Sequence, residues 1–128
     1  MRKLLILFTL IFTVMFPSTS FAEWKEVSRD ADGTTFYVDF ERIRKHGEYV
    51  YFWWLVNFLK PSLLGDLSNK SYHQGDCKLF RIKTLSYSFH KEPMGGGTGE
   101  TVTPKNPEWI YAAPTSMNED ILKKVCSR

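Results

Sequence analysis

The chain has 128 residues, of which 43% are hydrophobic and 16% aromatic, with 17 Lys and Arg against 14 Asp and Glu. Length and composition fit one small globular domain and exclude a long disordered or low-complexity chain. The formal charge of +3 is too small and too dispersed to form the basic stripe of a nucleic-acid binder.

The first segment, MRKLLILFTLIFTVMFPSTSFA, opens with Arg2 and Lys3, runs apolar from Leu4 to Phe16, and ends on Ser20-Phe21-Ala22. A basic start, a short apolar stretch and small residues at the end predict a secretory leader over residues 1–22, cleaved after Ala22. The apolar stretch is shorter than the roughly 20 residues that span a bilayer, so no stable membrane insertion is expected after cleavage. No cysteine stands near the cleavage point to take a lipid. Cleavage leaves residues 23–128 as one domain and removes two of the 17 cations. The remaining 15 face 14 acids, a net charge near +1. The expected location is therefore periplasmic, extracellular or at the cell surface, without a lipid anchor.

Export decides how the two cysteines, Cys77 and Cys126, are read. In an oxidising compartment two thiols most simply form one disulfide. They lack the C-x-x-C spacing of a redox pair and the further ligands of a zinc site.

Along the mature chain, Trp24 to Val27 is a short strand candidate, and TTFYVDF from Thr34 to Phe40 a second. Asp32-Gly33 between them marks a tight hairpin turn. Phe40 to His46 reads as a polar connector with room for one helical turn, ended by Gly47. YVYFWWLVNF, from Tyr49 to Phe58, has aromatic residues on both parities and reads as a central strand. Lys60 to Asn69 holds Pro61 and Gly65 and reads as a loop. An extended piece follows from Ser71, interrupted at Gly75, and another runs from Cys77 to Phe89. In that second piece the apolar parity moves from Phe80 and Ile82 to Leu85, Tyr87 and Phe89, which predicts a bulge. Met94 to Pro107 carries four glycines and two prolines and is expected to be a flexible loop, and Glu108 to Ala112 a last short strand around Trp109.

The period then changes. Ser116-Met117-Asn118-Glu119 is a capping box, and Ile121, Leu122 and Val125 form a narrow apolar stripe. Acids in the first turn and lysines in the last suit the helix dipole. Glu119 with Lys123 and Asp120 with Lys124 are spaced for i,i+4 pairing. The predicted fold is α+β: a single antiparallel sheet of five or six strands, with one C-terminal helix tethered to it by the Cys77–Cys126 disulfide.

The order and spacing of these pieces resemble the surface-adhesin E-like family of small exported bacterial envelope proteins. The likeness rests on Trp24 and Val27, on Tyr37-Val38-Asp39, and on Ile43, Gly47 and Val50. It continues through Trp53-Trp54, Ser71, Cys77, Arg81 and Tyr87, then Trp109, Pro114, Ser116 and the terminal Ile121 to Cys126. The resemblance implies an antiparallel sheet with a disulfide-tethered helix. The adhesin that names the family is a lipoprotein that binds host matrix and serum proteins. This chain departs from it in having no lipidation cysteine.

Residue by residue, no catalytic constellation emerges. His46, His73 and His90 are widely spaced and read as solvated loop and strand-end residues, not as metal ligands. GGGTGE lacks the Lys-Ser/Thr pair and the strand-to-helix setting of a phosphate loop. Ser116 reads as a cap, Asp39 and Glu41 as polar residues at a strand end, and Asn69-Lys70-Ser71 as a glycosylation acceptor without bacterial meaning. No cofactor, metal or nucleic acid is expected. The expected role is a non-catalytic binding module for a protein or envelope polymer. A self-associating structural component is the alternative, and a small exported hydrolase ranks last.

The central strand suggests where a partner would sit. Val50, Phe52, Trp54, Val56 and Phe58 face one way and Tyr49, Tyr51, Trp53, Leu55 and Asn57 the other. One helix covers one face, and the all-apolar set gains most from that cover. Tyr49, Tyr51 and Trp53 are then the candidate partner-binding residues, open to a partner or to a second copy in a homodimer, unless loops of the same chain close over them.

Overall fold

The computed structural model describes residues 22–128; apart from Ala22, the expected leader lies outside them. Eight antiparallel strands form one sheet: β1 (Trp24–Arg29), β2 (Thr35–Asp39), β3 (Arg44–His46), β4 (Tyr49–Asn57), β5 (Ser68–Asp76), β6 (Arg81–His90), β7 (Thr101–Val102) and β8 (Trp109–Tyr111). Helix α1 (Met117–Cys126) closes the chain. The sheet runs β1-β2-β4-β5-β6. Strands β2 and β3 share one edge of β4, and β7 and β8 share the outer edge of β6. The predicted α+β fold with a tethered C-terminal helix is the one observed; the additional strands are the short β3 and β7.

Turns follow their local chemistry. At the β1–β2 turn Asp30 Oδ1 accepts from the backbone N–H of Asp32 and of Thr34, each at 3.0 Å. Gly33 supplies the positive φ of +87° that glycine adopts without steric cost. Between β5 and β6, Asp76 Oδ1 accepts from the N–H of Lys78 and Leu79, and Asp76 Oδ2 pairs with Arg81 Nε at 3.0 Å. Burial pushes the Asp76 carboxyl up, but these three partners outweigh it and hold the group below its ordinary value. Cys77 lies in this turn, so it does not begin a strand as expected. Asp76, Arg81 and the disulfide all anchor the same turn.

The parity shift in β6 is a bulge. Tyr72 pairs with Ser86 and His73 with Thr84, leaving Leu85 as the extra residue. Beyond it Tyr87 and Phe89 reach the side of the sheet that Ile82 occupies before it, as the apolar pattern requires. Gly75, in contrast, does not interrupt β5. A Cβ there would stand 2.9 Å from Leu122 Cδ1 and 2.9 Å from Val50 Cγ2. Glycine at this point is what lets the helix settle on the sheet.

That contact is the core. Val38, Val50, Phe52 and Ile82 of the sheet meet Ile121, Leu122 and Val125 of α1, all buried. Ser116 Oγ accepts from the Glu119 N–H at 3.2 Å. Glu119 Oε1 reaches back to the N–H of Thr115, one residue before the cap. The ion pairs Glu119–Lys123 and Asp120–Lys124 form as spaced, at 3.3 and 3.2 Å, and Lys124 also donates to the carbonyl of Val27. At the far end the Cys77–Cys126 disulfide, with Cα atoms 5.8 Å apart, ties the last helical residue to the β5–β6 turn.

The segment expected to be a free loop, Met94 to Pro107, is partly ordered. Pro93–Gly95 forms a 3-10 turn and Thr101–Val102 pairs with Tyr87 and Ser88. The connector 40–46 resolves into a 3-10 turn, Phe40–Arg42, followed by β3.

Candidate functional site

The helix covers half of one face. On that side Val50 and Phe52 are buried beneath it as expected, whereas Trp54 is only half-buried. Trp54 and Val56 border an apolar cleft of about 380 Å³ with Ser71, His73, Tyr87 and Phe89.

His73 corrects its expected setting. It is a buried residue in mid-strand, its ring centroid 3.9 Å from that of Trp54. Its two ring nitrogens bond Ser71 Oγ (2.8 Å) and Thr84 Oγ1 (3.2 Å). Burial without a counter-charge lowers its pKa to about 3, so the ring is neutral at physiological pH. His90 is buried against Ser88 Oγ, and His46 alone is exposed.

The opposite face carries the predicted partner-binding residues. Tyr49, Tyr51 and Trp53 alternate along β4 and all remain partly exposed. The register brings further rings beside them. Tyr72, opposite Trp53 on β5, lies 4.9 Å from Trp53 and 6.3 Å from Tyr51, centroid to centroid, at interplanar angles of 37° and 24°. Trp109 of β8 lies 5.8 Å from Tyr49 at 24°. Trp109 in turn carries the Arg81 guanidinium at 4.3 Å and Lys83 Nζ at 4.4 Å from its ring centroid, within the range of a cation–π contact. No local sequence signal marks Tyr72, Trp109, Arg81 or Lys83 as site residues. Only the pairing of β4 with β5, and of β6 with β8, places them there.

Two clefts flank Trp53. One, of about 430 Å³, is bounded by Trp24, Arg42, Trp53, Lys70, Met94 and Gly95. The other, of about 420 Å³, is bounded by Glu41, Arg42, Ile43, Arg44, Trp53 and Tyr72. Asp39 is buried, with Arg42 Nε 3.2 Å from its Oδ2, an ion pair out of hydrogen-bond alignment. Glu41 is exposed, so Asp39 and Glu41 differ sharply in environment.

One residue of the predicted open set is closed. Leu55 has 0% exposure because the 3-10 turn after β6 folds over it: a Cβ on Gly95 would be 3.1 Å from Leu55 Cδ1. Met94 N–H donates to Asn57 Oδ1 (2.7 Å) and Gly95 N–H to Ser68 Oγ (2.9 Å), fixing that turn. The glycine-rich segment thus caps one end of the face and stops short of Tyr49, Tyr51 and Trp53.

Among the described residues no cluster of three or more His, Cys, Asp or Glu could hold a metal ion. No described helix is long and apolar enough to cross a membrane. Ser116 caps α1, and the Asn69 side-chain amide donates to the Ser88 carbonyl within the sheet.

Comparison with known proteins places this architecture. The chain resembles the crystal structures of Haemophilus influenzae protein E. One matches with a TM-score of 0.64 at 17% identity, covering 87% of this chain and 89% of that one. A second crystal form gives 0.62 at 17% identity, over 87% and 92%. The protein from a non-typeable strain gives 0.60 at 17% identity, over 87% and 80%. At that identity the likeness shows the shared fold. No curated protein sequence matches the chain. The family model for Surface-adhesin protein E matches residues 24–127, from the first residue of β1 to the residue after α1, and the chain therefore belongs to the Surface-adhesin protein E family.

Proposed function

We propose that the mature chain, residues 23–128, is an exported, non-catalytic binding module of the cell envelope or cell surface that meets a protein or polymer partner through the face bearing Tyr49, Tyr51 and Trp53. The observation that carries this reading is the row of half-exposed rings, Trp53, Tyr51, Tyr49, Tyr72 and Trp109, on the side of the sheet away from α1. Aromatic side chains with polar tips are costly to leave in water and are enriched where one protein surface closes on another. Membership of a surface-adhesin family supports the same role. Against catalysis stands the use of the candidate side chains: Ser116 caps a helix, His73 is bonded at both nitrogens, and Asp39 and Asp76 are paired with arginines.

The experiment is capture by immobilised mature protein from envelope extract and culture fluid, with Tyr51→Lys alongside. The wild type should retain a partner that the folded Tyr51→Lys variant loses. A partner held equally by both moves the interface off this face. Sedimentation of the same two proteins at rising concentration separates partner binding from the self-associating alternative, because only a homodimer through this face would weaken with Tyr51→Lys and no ligand present. Sequencing of the exported protein should give Glu23 as its first residue; Met1 at the N-terminus would contradict a cleaved leader.

A further inference from the structure

The aromatic face has a charge pattern as well as a shape. Strand register puts Arg44 of β3, Lys70 of β5 and Lys83 of β6 on it, among Tyr49, Tyr51, Trp53 and Tyr72. None of these three cations has a carboxylate partner among the described residues. The acids on the same face are mostly neutralised: Asp76 by Arg81, Asp39 by Arg42 and Glu26 by Arg29. Glu41, at the rim of one cleft, has no ion pair among the described residues. A molecule with a net charge near +1 therefore gathers unbalanced positive charge around its ring platform.

We infer that this face binds an anionic polysaccharide, with the rings stacking on sugar faces and Arg44, Lys70 and Lys83 meeting carboxylate or sulfate groups. The inference rests on the proposed binding role of the face and names the class of partner. Ring faces offer a flat apolar support, and cations beside them add charge-assisted hydrogen bonds to anionic oxygens. From Tyr49 to Trp53 the platform runs about 14 Å at the usual rise per strand residue, and Trp109 extends it past Tyr49. Such a row suits an extended chain better than a single small ligand.

Two other occupants fit less well. An extended acidic peptide gains its affinity by pairing with an exposed strand edge, and this site is a sheet face, whose main chain is already paired on both sides of β4 and β5. A second copy docked face to face would set Arg44, Lys70 and Lys83 against their own equivalents. Like-charge apposition of that kind opposes association.

The test is titration of the mature protein, followed by tryptophan fluorescence, with dextran sulfate, polygalacturonate, neutral dextran and polyglutamate. Binding of a sulfated or carboxylated polysaccharide, weakening as salt rises and absent with neutral dextran, is the expected result; which of the two binds more tightly identifies the anionic group. The double variant Arg44→Glu/Lys70→Glu should weaken it by about tenfold or more, and Trp53→Ala should do so without changing the salt slope. Lys45→Glu/Lys105→Glu, of equal charge change but off this face, should bind as the wild type does.

Polyglutamate binding as tightly as polygalacturonate would overturn the assignment to a polysaccharide, and equal weakening by the off-face pair would reduce it to bulk charge. If neither polyanion binds while Tyr51→Lys still loses a captured partner, the polysaccharide falls and the binding face stands. If polyanions bind and neither Arg44→Glu/Lys70→Glu nor Trp53→Ala has an effect, the polysaccharide site lies elsewhere and its assignment to this face falls.

Discussion

Gly75 shows how a single side chain, or its absence, sets the height of a helix. A methyl group there would enter the space held by Leu122 Cδ1 and Val50 Cγ2, each 2.9 Å from its position. Gly75→Ala should therefore destabilise the fold by about 1–3 kcal/mol, the usual range for overpacking a filled core, measured by urea unfolding. No loss would mean that α1 can ride outward freely. His73 makes a second prediction. Its pKa is lowered from 6.5 to about 3 by burial, so between those values the unfolded chain binds a proton that the native state refuses. Stability contributed by the neutral ring is whole above pH 6.5 and is lost as pH falls toward 3, with a slope of about 1.4 kcal/mol per unit once the unfolded histidine is fully protonated. His73→Gln should flatten the stability profile between pH 6 and pH 4.5, a window set by the two pKa values and above the range where Asp76 and Asp120, both lowered, begin to protonate. An unchanged profile would contradict the burial argument.

At the scale of elements, legibility tracked the strength of local pattern. Strand β4 could be divided into two faces from alternation alone, and Val50 and Phe52 do lie under the helix while Tyr49, Tyr51 and Trp53 do not. The bulge at Leu85 was visible because apolar parity records which side each residue occupies. Strand β3, Arg44-Lys45-His46, has no apolar residue to alternate and is held only by pairing with Tyr49 to Tyr51. Alternation puts Leu55 in the open set, because nothing local announces that a glycine-rich turn forty residues later covers it. Tyr72 and Trp109 join the site through register, which sequence periodicity does not contain. The helix and its staple carry a prediction at this scale. Cross-linking Cys77 to Cys126 closes a separation of 49 residues, for which chain entropy gives up to about 4 kcal/mol. Cys126→Ser should lower the melting temperature, and native protein should show no free thiol; two reactive thiols without denaturant would contradict the bridge. The 94–107 segment predicts differently at its two ends. Gly95 is docked on Leu55 and Ser68, whereas Lys105 is exposed between β7 and β8. Limited trypsin digestion should cut first after Lys105, and earlier cleavage after Lys70 or Lys83, within β5 or β6, would overturn the strand assignments.

Taken whole, the molecule is a sheet with unequal faces. One is closed at one end by a helix that a disulfide and the bond from Lys124 to the Val27 carbonyl hold down. The other keeps a row of rings, and cations without a carboxylate partner among the described residues, that the glycine-rich turn covers only at the Leu55 end. In the proposed reading, the one helix among the described residues covers one side and the second side is the one a partner meets. The most direct measurement of that claim is hydroxyl-radical footprinting of the mature protein with and without its captured partner or a bound polyanion. The account predicts that Tyr51, Trp53 and Tyr72 become protected while Phe89 and Ile110, exposed on the helix side of the sheet, react as before. Protection of Phe89 and Ile110 with Tyr51, Trp53 and Tyr72 unchanged would place the interface on the wrong face and contradict it.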